Sequence, residues 1–381
     1  MPESVTLFIP QQTYVSGSAV EGEVELDFTL VQEEQLEEVR VKLKGLIYTL
    51  VSSSAQAVSE NEEVDILRLE VPVWTRGAAY PPPDSHLLRL QFLILLPTKI
   101  PPSCEFYDIN NAAIVRYEIE AIGIRPGTLR MNKRIAKPIV VLPAHPTSAR
   151  VRSALREGWH GAWNSAVEEK QIRQGLWGER AHVRVEMKYP QLRAFPIYTA
   201  IPFTVTISTT SKATKRGETS DAKPIWPSPP VTSQDIRFEL RREVHVVSQH
   251  LSGIFHEKNI PLDGMDRSAT EVKVNVLPKK WVPLDTDASK GKWKQQTTFS
   301  STIFLSCTPT FKSSRVEISY TMHIGVPFSG WQNSVTLTLP VIVSSGMVPP
   351  SAPAYSEYVP PPPEFVDGAL GLQPPAFDFP P

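Results

Sequence analysis

Apolar and polar residues alternate through most of this chain. Val20, Val24, Leu26 and Phe28 share one parity, with Gly22 among them, and Glu21, Glu23, Glu25 and Asp27 share the other. A two-residue repeat turns the first set to a core and the second to water, which predicts a half-buried strand. Val39, Val41 and Leu43 alternate in the same way with Arg40, Lys42 and Lys44. If the two strands pair antiparallel, an acidic ladder meets a basic one on the wet face, a favourable cross-strand arrangement. Such charge runs read as solvated sheet faces before they read as a ligand patch.

The same period predicts strands over residues 86–96, 112–124 and 135–142. It returns at Val183, Val185 and Met187, at Phe203, Val205 and Ile207, and at Ile236, Phe238 and Leu240. Val272, Val274 and Val276 follow, then Val316, Ile318, Tyr320, Met322 and Ile324, and last Val335, Leu337 and Leu339. Short strands between turn residues predict antiparallel sandwiches, and the lack of strand–helix alternation argues against a parallel α/β enzyme fold. The expected architecture is all-β, with two tandem sandwiches over residues 1–143 and 180–346. A linker at 144–179 and a Pro-rich tail at 347–381 complete the organisation.

The linker departs from the alternation. Residues 147–156 predict a helix capped at Thr147 or Ser148, and residues 165–174 one or two helical turns closed by Gly175. Trp159, Trp163 and Trp177 need burial, so the connector is expected to pack back on a domain. Residues 208–230 and 284–292 read as mobile, turn-rich segments.

Composition sharpens this picture in two places. Lys+Arg is 39 against Asp+Glu 40, so the net charge is −1 and no global field favours nucleic acid. There are 37 prolines, and eleven of them fall in the last 34 residues, which have no periodicity. That tail is expected to be disordered or polyproline II. The two cysteines, Cys104 and Cys307, form no CxxC pair and are expected as unpaired thiols, with no zinc site. The N-terminus lacks the basic and apolar regions of a signal peptide, and no apolar run reaches the ~20 residues that span a bilayer. A cytoplasmic protein is expected, with any membrane role peripheral.

Catalytic motifs are missing. There is no GxSxG, HExxH, GxxxxGK[ST] or strand-linked GxGxxG. His245, His250 and His256 are spaced five and six apart, which suits neither a helical pair nor a metal hairpin. Neither metal nor cofactor is expected, and two sandwiches without a motif point to binding, not turnover. A sandwich glycosidase would require two carboxylates facing each other across a cleft. Two basic groups are candidates for lipid head groups or phosphate: Arg130, Lys133, Arg134 and Lys137 on a strand, and Arg150, Arg152 and Arg156 on the predicted helix. An exposed solvated face is the plainer reading of both.

The order of these features resembles the arrestin family. Residues 14–24 (YVSGSAVEGEV) are similar to the opening of an arrestin N-domain, and residues 36–45 to its next strand, ending V-x-V-x-L-x-G. Residues 90–97 (LQFLILLP) and 100–106 (IPPSCEF) resemble the family's F-x-F-x-L-P and L-P-P-S-F-E stretches, with Cys104 in place of an aromatic. Residues 113–121 and 132–142 look like the strands that close that domain. Residues 180–190, 201–209, 298–307 and 316–345 look like an arrestin C-domain. The Trp-rich linker and proline tail are similar to fungal α-arrestins, the arrestin-related trafficking adaptors.

That resemblance implies two immunoglobulin-like sandwiches and no catalysis. It implies an adaptor that recognises membrane cargo, transporters or receptors, and recruits a HECT-type ubiquitin ligase for endocytosis and protein transport. It implies a cytoplasmic protein peripheral to the plasma membrane or endosomes. Recruitment runs through a P-P-x-Y motif on WW domains, whose aromatic groove takes a preformed polyproline-II segment at low ordering cost. Three near matches lie in the tail. Pro353 and Tyr355 lack the first proline. Pro362, Pro363 and Phe365, like Pro374, Pro375 and Phe377, replace tyrosine with phenylalanine. Losing the hydroxyl should weaken a site by about 1 kcal/mol, which three linked sites can offset by avidity. The alternative within the same fold is a structural coat subunit resembling the arrestin-like component of retromer, which would not need the tail.

Overall fold

The computed structural model describes residues 3–53, 57–127, 130–175, 177–216, 223–260, 262–263, 272–284, 287–330 and 333–350. Strands take 62% of the structure and helices 6%, which settles the all-β class. The first half opens with β1 (Val5–Phe8), β2 (Thr13–Val15) and β3 (Ala19–Asp27), followed by a short helix, α1 (Phe28–Glu33). Asp27 caps α1 by accepting the Thr29 and Leu30 N–H groups. A long hairpin of β4 (Glu38–Ser53) and β5 (Val58–Thr75) comes next. Then follow β6 (Leu87–Leu95), β7 (Cys104–Asp108), β8 (Asn111–Ile124) and β9 (Lys133–Leu142).

One sheet runs β1-β3-β6 and the other β2-β9-β8-β4-β5, with β7 also on β8. Val24 and Leu26 from the first and Val41, Leu43, Tyr117 and Ile119 from the second are buried in one core. At Gly45 the packing is tight enough to require glycine: a Cβ there would lie 2.6 Å from the Tyr117 ring. The expected pairing of the acidic and basic strands does not occur. Residues 28–37, helix α1 and its exit, carry the chain to the other sheet, so β3 lies between β1 and β6 and β4 between β5 and β8. Each ladder finds its complement elsewhere. Arg89 of β6 bonds Glu25 at 2.8 Å, and Arg40 and Lys44 of β4 reach Glu70 and Glu63 of β5.

The second half begins with α2 (Pro146–Arg156). Its N-cap is His145, not Thr147 or Ser148, because Pro146 at the first helical position already has the φ a helix needs. Residues 165–174 are not helical turns. They belong to β10 (Trp163–Arg173), which pairs antiparallel along its length with β11 (Arg180–Pro190). Hydrogen bonding to the open edge of β11 outweighs a weak local helical preference. Next come β12 (Phe195–Pro196), β13 (Ile201–Thr210) and β14 (Thr214–Lys215). They are followed by β15 (Arg237–Ser248), β16 (Leu251–Ile260), β17 (Leu262–Asp263), β18 (Lys273–Leu284) and β19 (Asp287–Leu305). The chain closes with β20 (Phe311–Lys312), β21 (Val316–Pro327), β22 (Ser334–Val341) and β23 (Val343–Ser344).

One sheet has the order β10-β11-β13-β19-β14, with β17 and β18 also on β19. The other has the order β16-β15-β21-β20, with β22 on β21, and β12 pairs parallel with β23. Phe203 and Phe238 stack between the two layers, their centroids 5.1 Å apart. The segments expected to be mobile contribute to the first of these sheets through β14 and the start of β19, and Ile225 is buried.

Candidate functional site

Two long hairpins meet where the halves join, and their turn chemistry builds the seam. Between β15 and β16 the chain reverses at Gln249, whose φ of 50° lies in the left-handed region. The Glu60 carboxylate of β5 accepts the His250 and Leu251 N–H groups at 2.8 and 2.9 Å. Glu62 accepts the Gln249 N–H at 2.9 Å and pairs with Arg315 Nη2 at 2.6 Å. Ser248 donates to the Glu60 carbonyl at 3.1 Å. The Gln249 N–H, with help from Arg315, holds the Glu62 carboxyl below its ordinary value although partial burial opposes the shift.

Beside this latch, Phe106 of β7 packs on Phe255 of β16 at 5.6 Å, and the Arg242 guanidinium lies 5.8 Å from the Phe106 centroid. Arg242 is paired with Glu257. Cys104 and Cys307 are both free thiols, as expected, and burial pushes each up to about 11. The end of the second half also ties into the first. Ser345 Oγ donates to the Pro143 carbonyl, and His145 N–H to the Met347 carbonyl at 2.7 Å.

The basic residues singled out by sequence do not converge. On β9, Lys133 and Lys137 share one face and Arg134 takes the other, as a two-residue repeat demands. Lys137 lies over the Phe8 ring at 5.7 Å, Arg134 pairs with Glu120 at 3.1 Å, and Arg130 donates to Gln35 Oε1 at 2.6 Å. On α2, Arg152 and Arg156 are one turn apart, and Arg150 points away. Arg150 and Arg156 are exposed. The half-buried Arg152 lies against the β12–β23 seam near Gly346, with its Nε unpaired. Desolvation, with Arg156 nearby, lowers its affinity for a proton.

Pro353, Tyr355, Pro362, Pro363, Phe365, Pro374, Pro375 and Phe377 lie outside the described residues. Among the described residues, no cluster of three His, Cys, Asp or Glu side chains is placed to hold a metal, and no helix is long and apolar enough to cross a membrane. Sequence reasoning missed Glu60, Glu62 and Arg315. The alternation of Glu60 and Glu62 in a stretch not recognised as a strand was the available signal.

Fold and seam together define a two-sandwich all-β protein with a hydrogen-bonded joint. No family model matches the chain, and no curated protein matches it.

Proposed function

We propose that the protein is a non-catalytic, arrestin-like adaptor that links membrane cargo to ubiquitin ligase-dependent endocytosis. The observation that carries this reading is a division of labour along the chain. Residues up to Pro350 form one compact two-sandwich unit, its halves fixed by the Glu60 and Glu62 latch and by Ser345 and Met347. After that unit comes a Pro-rich segment with three Pro/aromatic motifs. A fixed body suits a shaped cargo surface, and linear motifs suit WW domains of a HECT-type ligase. The site of action is the cytoplasmic face of the plasma membrane or endosomes. Truncation after Pro350 tests the reading in cells. Cargo ubiquitination and turnover should fall while the protein stays folded. Unchanged turnover would sink the ligase-adaptor reading and favour a coat subunit that works without the tail.

A further inference from the structure

We infer that the loop joining β5 and β6, residues 76–86, presents Tyr80, Pro81, Pro82 and Pro83 to a proline-recognition domain of the class that reads an aromatic residue followed by prolines, the EVH1 class. Proline fixes its own φ at about −65° and drives the residue before it out of the helical region. Tyr80, Pro81 and Pro82 each precede a proline. Covalent geometry alone therefore sets three consecutive residues on an extended, polyproline-II course. They lie in neither helix nor strand, and just beyond them the Ser85 N–H closes a turn onto the Pro82 carbonyl at 3.0 Å.

The segment is held at both ends. Before it, the Trp74 indole N–H donates to the Ala79 carbonyl at 3.0 Å, and the Ala78 N–H donates to the Thr75 carbonyl at the same distance. After it, the Leu87 N–H donates to Ser85 Oγ at 3.0 Å, and the His86 carbonyl accepts the Phe28 N–H at 2.8 Å. Phe28 packs edge-on against Trp74 at 5.6 Å and supports the Tyr80 ring at 6.0 Å. Tyr80 is nevertheless 68% exposed, and Pro82 and Pro83 are exposed beside it. A large aromatic ring and two proline rings thus face solvent on a preformed segment, which a partner can bind at little ordering cost.

The order of the rings selects the partner. Aromatic-lined grooves that take polyproline II differ in where they seat a side chain other than proline. A WW groove of the P-P-x-Y type takes its aromatic ring after the prolines, the order found in the tail. An SH3 groove takes two prolines three residues apart beside a basic side chain. No two prolines of this loop are so spaced, and the Arg76 guanidinium is turned to the Leu36 carbonyl at 3.0 and 2.8 Å. An EVH1 groove seats an aromatic ring first and proline rings after it, the order that runs from Tyr80 to Pro83. The segment belongs to the folded body, so it stands or falls separately from ligase recruitment by the tail.

The test is a titration of the full-length chain with an isolated EVH1 domain that takes F-P-P-P-P peptides. Saturable binding is expected. Tyr80→Ala should bind about tenfold more weakly, because it loses the one large ring of the segment. P82A/P83A alters only exposed rings and should also bind about tenfold more weakly, while its circular dichroism matches that of the parent. Tyr80→Phe should bind at least as tightly as the parent, since the ring and not the hydroxyl fills the groove. Truncation after Pro350 removes Phe379, Pro380 and Pro381, a second aromatic-then-proline run, and should leave binding unchanged. No binding by the full-length chain would overturn the inference. So would full binding by P82A/P83A, loss of binding in Tyr80→Phe or on truncation, or tighter binding of a WW or SH3 domain than of the EVH1 domain to the truncated chain.

Discussion

Glu62 reaches across the seam to Arg315 at 2.6 Å while also accepting the Gln249 N–H, so one side chain of the first sandwich fixes two points of the second. Its folded-state affinity for a proton is lowered, chiefly by the Gln249 N–H. The sign follows from linkage. The stabilisation is fully present above the ordinary carboxyl value of 4.5, and is lost as pH falls through the lower folded value. The melting temperature of the parent should therefore drop more steeply on acidification below that value than that of Glu62→Gln. At neutral pH the variant should melt lower. Parallel pH profiles for the two proteins would contradict this account of the latch.

Gly45 faces the Tyr117 ring, and an added Cβ would sit 2.6 Å from it. Overpacking of this kind costs about 1–3 kcal/mol. Urea denaturation of Gly45→Ala should show an unfolding free energy lower by that amount, read as a lower midpoint with an unchanged slope. An unshifted midpoint would mean the ring has room to move.

Cys104 and Cys307 share a chemical state. Burial raises both thiols to about 11, so little thiolate exists near neutral pH. Ellman's reagent should react slowly with the native protein and release two thiols promptly in denaturant. Fast reaction of either thiol in the native state would place it in a more open environment.

The end of the described chain belongs to the fold. Ser345 and Met347 bond to Pro143 and His145, and Val343 is buried beside β12. Truncation after Pro350 should leave the melting temperature unchanged. Truncation after Ile342 should lower stability by about 3 kcal/mol, from lost hydrogen bonds and apolar burial. Equal melting of both truncations would show that the 343–347 segment contributes nothing.

Period-two alternation made the strands at Val39–Leu43, Val183–Met187 and Val316–Ile324 legible, because one face of each packs on a core. It gave no partners, since pairing depends on where turns carry the chain, and helix α1 sends the acidic strand and the basic strand to different sheets. Residues 165–174 read as helical from sequence alone because the open edge of β11 that β10 joins is a long-range feature. β5 was missed because exposed charges outnumber its buried residues. The seam is illegible for a different reason, which is long-range. Glu60, Glu62 and Arg315 become a unit only when two distant hairpins meet. The basic residues of β9 form one run in the sequence, but strand geometry divides them between two faces.

The central claim, recruitment of a ligase through the tail, has a direct measurement. A peptide of residues 348–381 is titrated against isolated WW domains of a HECT-type ligase. Weak saturable binding that falls when Tyr355 is replaced by alanine is the predicted result, with a further fall when Phe365 and Phe377 are replaced as well. No detectable binding by the unaltered peptide would contradict the claim and leave the tail as a spacer.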